Sequence, residues 1–299
     1  MLVEKLLQEK KDVTVIVRKP EYLNDNVRTQ VRVIQANIID GEAIRKITNS
    51  YDCIVHCAAP TQSSYMIKNP VETAQSIVIG TQNMLELAVR SRVKSMVYLS
   101  SMEVYGEVAS SSVEKVVENE LGGLNISNIR SCYPMAKRMA ENFCHLYHYE
   151  YDVPVKIARL AQTFGRGIRE GDNRVFAQFV RAVRNNTDIV LHTQGNSVGN
   201  YCDIDDAINA IIFLLEQGES AQAYNIVNES NTMTISEMAK LVAEKIADGK
   251  IQVVYDIIND NRFGYAAETR VRLSGAKMKN LGWEAKTSLV QMYRNALDG

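Results

Sequence analysis

The 299-residue chain has no long apolar run. Its longest strongly apolar stretch, 207–215, is broken by Asn209 and falls far short of the roughly 18 residues that a membrane span needs. Charge of one sign is missing too. The 34 Lys and Arg stand against 35 Asp and Glu, and the net charge of -1 removes any general pull toward nucleic acid or an anionic membrane. Cysteine is sparse: five residues, an odd number, without framework spacing. No export leader is expected, because charged residues begin at Glu4, so reduced thiols in a cytoplasm are the expectation. Cys53, His56 and Cys57 lie in an apolar run ending Ala58-Ala59 that reads as a buried strand and its exit. No second ligand pair with zinc spacing follows, so no metal is expected. Repeats and low-complexity linkers are absent as well. What remains is ordinary globular composition, 46% apolar and 23% charged, at a length suited to one large α/β domain with or without a small lobe.

Strand-like and helix-like segments alternate through the first two-thirds. Short β-branched or apolar runs at 13–17, 31–34, 53–56, 95–99 and 155–158 read as strands. Helices are expected at 42–47, at 70–90 and from Tyr133 to about Tyr149. The alternation predicts a parallel sheet covered on both faces. From Gln162 onward the pattern loosens, with helices expected at 174–184, 206–216, 235–246 and 288–297 and short strands at 189–191 and 224–226. This half reads as a small lobe packed against the sheet. Ser131 is a candidate cap for the Tyr133 helix, and Asp206 for the helix that follows Asp203 and Asp205.

Tyr133-Pro134-Met135-Ala136-Lys137 carries the chemistry. Tyrosine and lysine four residues apart share a helix face, and Pro134 places them near the helix start. Free tyrosine, with a pKa of about 10, is a poor base at neutral pH. Lowering it by about 3 units takes roughly 4 kcal/mol, which a neighbouring ammonium and an oxidised nicotinamide together supply in a dry pocket. Alone, such a pair is common on solvated helices.

Several spaced motifs accompany it. They are Asp52 to Ala59, a strand ending in small residues; Ser100-Ser101-Met102-Glu103-Val104-Tyr105-Gly106; Ala158-Arg159-Leu160 before Gln162-Thr163-Phe164-Gly165; Arg270 to Ser274; and Leu281-Gly282-Trp283. In this order they resemble the extended short-chain dehydrogenase/reductase superfamily, in its nucleotide-sugar epimerase, dehydratase and decarboxylase branch. Arg130-Ser131-Cys132-Tyr133 and Lys137-Arg138…Ala140-Glu141 look most like the UDP-glucuronate decarboxylases. The resemblance implies an α/β, Rossmann-type doubly wound parallel sheet at 1–161 and a small C-terminal substrate-binding lobe at 162–299, some segments of which return to the main sheet. It implies Tyr133 as catalytic base, Lys137 as its cationic partner, Ser101 bonded to the same sugar hydroxyl, and Glu103 as the acidic residue that dehydratases and decarboxylases carry. NAD or NADP is expected beside Arg18, Asn37, Ile38, Ala58, Ala59, Ser100, Tyr133 and Lys137. A nucleotide-diphosphate sugar is expected beside Gln162 and Arg272, the latter chosen as phosphate clamp from Arg159, Arg166, Arg262 and Arg272. A homodimer built on the helices at 70–90 and 131–149 is implied as well. Beside these roles stand plainer ones: Ser101 as a turn cap, Glu103 as a solvated loop acid, and Trp283 as a core residue of the lobe.

The chain departs from the family pattern in places. The glycine-rich phosphate loop is absent, and Met1 to Leu7 resembles the body of the helix that follows it. The first, central strand is expected to lie before Met1, either cut from the sequence or lost from the protein, and its absence would leave two strands with unpaired edges. Met102 stands where dTDP-glucose-type dehydratases have Asp, which argues against that reaction in its usual form. Val17-Arg18 offers a cation that could meet a 2′-phosphate. Asn37 replaces an Asp, Ile77 and Gln162 each replace an Asn, and Gly199 falls near a decarboxylase Arg. The expected activity is therefore a nucleotide-sugar epimerase or dehydratase working through a 4-keto sugar. Decarboxylation of the UDP-glucuronate type and a non-catalytic nucleotide-sugar binder are its alternatives.

Overall fold

Short β-branched and aliphatic runs set the first half of the chain. Thr14–Val17 (β1) and Arg32–Gln35 (β2) pair in parallel, with Val15 opposite Val33. Cys53–His56 (β3) pairs in parallel with Ser95–Ser101 (β4), and Val155–Leu160 (β5) follows β4 in the sheet order. Parallel neighbours need crossovers. The helix Pro70–Ser91 supplies the one from β3 to β4, and the helix Cys132–Tyr151 the one from β4 to β5. Pro70 opens the first, and residues in left-handed backbone, Arg92 and Asp152, close the two. The computed structural model describes residues 1–108, 115–257, 268 and 270–298. Arg262, one of the candidate clamps, lies outside them.

The chain divides into two compact units, 1–104 with 124–159 and 208–223, and 105–123 with 160–207 and 224–299. Each unit takes segments from both halves of the sequence. Hydrogen bonds hold the returning segment to the first unit: Ile157 N–H donates to Gln222 O (2.9 Å), and the Ser95 hydroxyl to Leu215 O (2.7 Å). The core of this unit joins Ile54, Met96, Tyr98 and Ile157 of the strands to Ile77 and Leu85 of one long helix and Ala136, Ala140 and Cys144 of the other. Its strands form two separate sheets, in which β1 and β3 each occupy an end. The run read as a buried strand is accordingly buried only at Ile54 and His56, while Cys53, on a strand with one neighbour, is exposed.

In the second unit Gln162–Phe164 (β6) and the antiparallel Asn228–Thr234 flank Val198–Asp203 in one sheet, and Val253–Tyr255 pairs in parallel with Ile189–Leu191. Phe164 stacks on Phe176 (centroids 4.4 Å apart) and meets Tyr293 edge-on, with Val180, Met238 and Met292 around them. Two expectations change here. Asp206 does not cap its helix, because its carboxylate accepts from Lys286 N–H (2.9 Å) and Thr287 N–H (2.8 Å), while Asp203 accepts from Asp205 N–H. Trp283 is half-buried, not a core residue. The strand Val198–Asp203, fully buried although it contains Asn200 and Asp203, escaped the sequence reading because its polar residues break the apolar pattern.

Candidate active site

Spacing by four along Cys132–Tyr151 puts Tyr133, Lys137 and Glu141 on one stripe, and all three are buried. Pro134 sits in the first turn, where its missing N–H costs nothing. Ser131 is not the cap. Its backbone is already helical (φ -68°, ψ -10°), and its hydroxyl donates to Asn125 O (2.6 Å). Asn128 caps the preceding turn instead, accepting from Arg130 N–H at 2.9 Å.

Lys137 Nζ donates to Leu99 O at 2.6 Å and lies 4.8 Å from the Tyr98 ring centroid and 5.9 Å from that of Tyr133. Burial pushes its pKa down to about 8, against the opposing pull of Glu141. The amine is therefore still mostly protonated at pH 7. Ser101 lies two residues beyond Leu99 on β4, and its Oγ accepts from Glu103 N–H (3.2 Å), so it does close the turn after the strand. Glu103 is exposed but not merely solvated, since Arg130 Nη2 donates to its carboxylate at 2.8 Å. The same guanidinium lies 5.6 Å from the Tyr133 ring centroid. Arg130 thus links Tyr133 to Glu103, a contact the sequence reading does not anticipate. Its signal was the i, i+3 spacing to Tyr133.

Two candidate side chains are engaged elsewhere. The Ser100 hydroxyl donates to Glu141 (2.5 Å), while neighbouring strand residues point oppositely. Arg159 is not a phosphate clamp, because Nε and Nη2 hold the Glu141 carboxylate at 3.0 and 2.7 Å, with both side chains about 5% exposed. Arg166 is likewise held bidentately by Asp205.

The other cofactor candidates follow the carboxyl ends of parallel strands, the usual ligand side of such sheets. Arg18, after β1, is exposed and 3.3 Å from Glu72. Asn37 is half-buried after β2, and the side chain of Ile38 fits against Gly80, where a methyl would overlap it. The Ile38 carbonyl accepts from Asn83 Nδ2 at 2.7 Å. Ala58 is exposed and Ala59 half-buried beyond β3. His56 bonds Thr81 Oγ1 (3.1 Å), and burial pushes its pKa down to about 3, so the ring is neutral. In the second unit Gln162 is the register partner of Tyr201, next to Asn200. Asn200 grips the segment carrying Arg272 at both ends, donating to Val271 O (2.7 Å) and accepting from Leu273 N–H (2.8 Å).

Residues 1–228 match the model of the NAD dependent epimerase/dehydratase family. The chain is 31% identical over 291 residues to UDP-glucuronic acid decarboxylase 6 of Arabidopsis thaliana, a match covering 96% of the chain and 81% of that relative. Its fold is similar to UDP-glucose 4-epimerase of Thermotoga maritima, crystallised with UDP-glucose (TM-score 0.86, 22% identity, 99% of this chain and 93% of that one). It is also similar to dTDP-glucose 4,6-dehydratase of Streptomyces venezuelae with NAD bound (TM-score 0.79, 22% identity, 98% and 91%).

Proposed function

Because the chain belongs to the NAD dependent epimerase/dehydratase family, we propose that it epimerises or dehydrates a nucleotide-diphosphate sugar through a 4-keto sugar. The observation that carries this reading is the buried Lys137 amine, fastened to Leu99 O and 5.9 Å from the Tyr133 ring centroid. Tyr133 takes the proton of the sugar hydroxyl, and Lys137 favours the phenolate that receives it. Ser101 hydrogen-bonds the same sugar oxygen. Glu103, oriented by Arg130, serves the proton transfers that follow the ketone, which acidifies its neighbouring carbons. NAD or NADP, when bound, supplies the oxidation of the carbinol to that ketone. The residues fit half of such a dinucleotide: Tyr133 and Lys137 suit the ribose and nicotinamide, and Arg18 and Asn37 the other ribose. No glycine-rich phosphate cradle occurs among the described residues. Gln162 and the Arg272 segment are the proposed substrate contacts.

The test is incubation with UDP-, dTDP-, GDP- and CDP-sugars in the presence of NAD or NADP, products being read by NMR. A new sugar nucleotide supports the proposal. Binding of a nucleotide sugar without turnover of any would favour the non-catalytic reading. Decarboxylation of a UDP-glucuronate-type substrate is the second reading, favoured by the 31% identical relative and by Glu103. Gly199 weighs against it, because the Tyr201 ring and hydroxyl fill the space of a side chain there. Gly199→Ala is accordingly expected to cost about 1–3 kcal/mol of stability, read by denaturant unfolding.

The proposal includes a cytoplasmic homodimer. All five cysteines are free thiols, and no helix among the described residues is long and apolar enough to cross a membrane. Val71 and Ile79 on one long helix and Met135, Met139, Leu146 and Tyr149 on the other are exposed, an apolar surface of the kind that associates. Met139→Arg combined with Leu146→Arg should halve the mass seen by light scattering. An unaltered mass rejects this interface.

A further inference from the structure

Glu141 is the third residue of the Tyr133–Lys137 stripe, and the chemistry above does not use it. It lies buried on the helix one turn beyond Lys137. Its carboxylate accepts from Ser100 Oγ at 2.5 Å and from Arg159 Nε and Nη2 at 3.0 and 2.7 Å. Lys137 Nζ donates to Leu99 O on the same strand. The helix is therefore fastened to β4 at two consecutive residues, Leu99 and Ser100, and the next residue is Ser101. A buried carboxylate needs a charge partner, and Arg159 alone would meet that need. The added bond to Ser100 and the placement beside a second cation are more than a structural ion pair requires.

We propose that Glu141 is a positioning residue for the Tyr133–Lys137 pair: clamped by Arg159 and Ser100, it fixes the height of the helix on β4 and keeps Lys137 a cation. The inference rests on reading Tyr133 and Lys137 as the proton-transfer pair. The groups facing Lys137 are Tyr133, Glu141 and Cys144 on its own helix, His56 and Cys57 from β3 and its exit, and Tyr98 from β4. His56 is neutral, burial raises the thiol of Cys144 and the phenol of Tyr98, and Cys57 is an exposed free thiol. Glu141, gripped by the Arg159 guanidinium, is thus the one carboxyl group among them. Without it two buried basic side chains, Lys137 and Arg159, are left with no carboxylate on this stripe.

The test uses the full chain labelled with ¹³C at lysine Cε, Lys137 being assigned through Lys137→Arg and titrated by NMR. In Glu141→Gln the Lys137 midpoint is expected to fall by about one pH unit. The turnover number should fall about tenfold with KM within about twofold, and the basic limb of the kcat profile should move to lower pH with the titration. Glu141→Asp keeps the charge and shortens the reach, so the midpoint should stay within about 0.3 unit while kcat falls severalfold. A Lys137 midpoint in Glu141→Gln equal to that of the parent, with only thermal stability reduced, overturns the electrostatic part. Full kcat in Glu141→Asp overturns the positional part, and this arm stands if the glutamine variant does not fold. Tyr133→Phe is run alongside. If it retains turnover the reading of the pair fails, whereas the Lys137 titration judges Glu141 without reference to substrate.

Discussion

Tyr133→Phe should lower turnover by about 10²–10⁴-fold, the range that a positioned proton-transfer group contributes. The substitution removes one oxygen and keeps the ring. The contacts of the ring with the Arg130 guanidinium (5.6 Å) and the Lys137 amine (5.9 Å) therefore persist, and circular dichroism should be unchanged. Ser101 cannot replace the lost base, because an aliphatic hydroxyl does not ionise near neutrality. Lys137 cannot replace it either: with a pKa of about 8 it carries its proton at pH 7 and is fastened to Leu99 O. The parent profile should fall off above about pH 8, because the amine becomes neutral there and ceases to favour the phenolate. The sign follows from the requirement that Lys137 be charged, a state that holds below its pKa. Near-normal turnover in the phenylalanine variant would remove Tyr133 from the role of base.

How far the sequence spoke for itself depended on whether a residue's partner was local. Strands 53–56 and 189–191 and the two long helices were legible from periodicity alone, because their faces are set by neighbours a few residues away. Tyr133 and Lys137 share a helix face for the same reason, while their proposed roles come from the family resemblance. Ser100 and Arg159 were not legible. Both looked like ligand-binding residues, and both turn to Glu141, a partner 41 and 18 residues distant that no local pattern announces. Arg130 was overlooked because its two contacts, the Tyr133 ring and Glu103, belong to different elements. Asp206 was read as a cap because it stands at a helix start, whereas its carboxylate serves the backbone of Lys286 and Thr287 some 80 residues on. Among the described residues the strands of the first unit form two sheets, ending at β1 and at β3, a division that no local pattern announces.

Arg159→Ala is expected to be the most destabilising single change at this centre, costing about 3–5 kcal/mol, because it strands a buried carboxylate. Glu141 would keep the Ser100 hydroxyl and the nearby Lys137 amine, which already donates to Leu99 O. Burial without a guanidinium raises a carboxyl's pKa above its unfolded value. Between the two values the variant binds the proton more tightly when folded, so its stability falls as pH rises through the folded pKa. The deficit relative to the parent should thus be smallest in acid and grow toward neutrality, which urea unfolding at a series of pH values will show. Replacing both partners separates charge from volume. Arg159→Met with Glu141→Leu leaves no stranded ion and should recover most of the lost stability, because hydrophobic replacement of a buried pair is often neutral or better. Recovery of stability without recovery of turnover would mark the pair as kept for the Lys137 amine and not for the fold. Recovery of both would reduce it to a core contact.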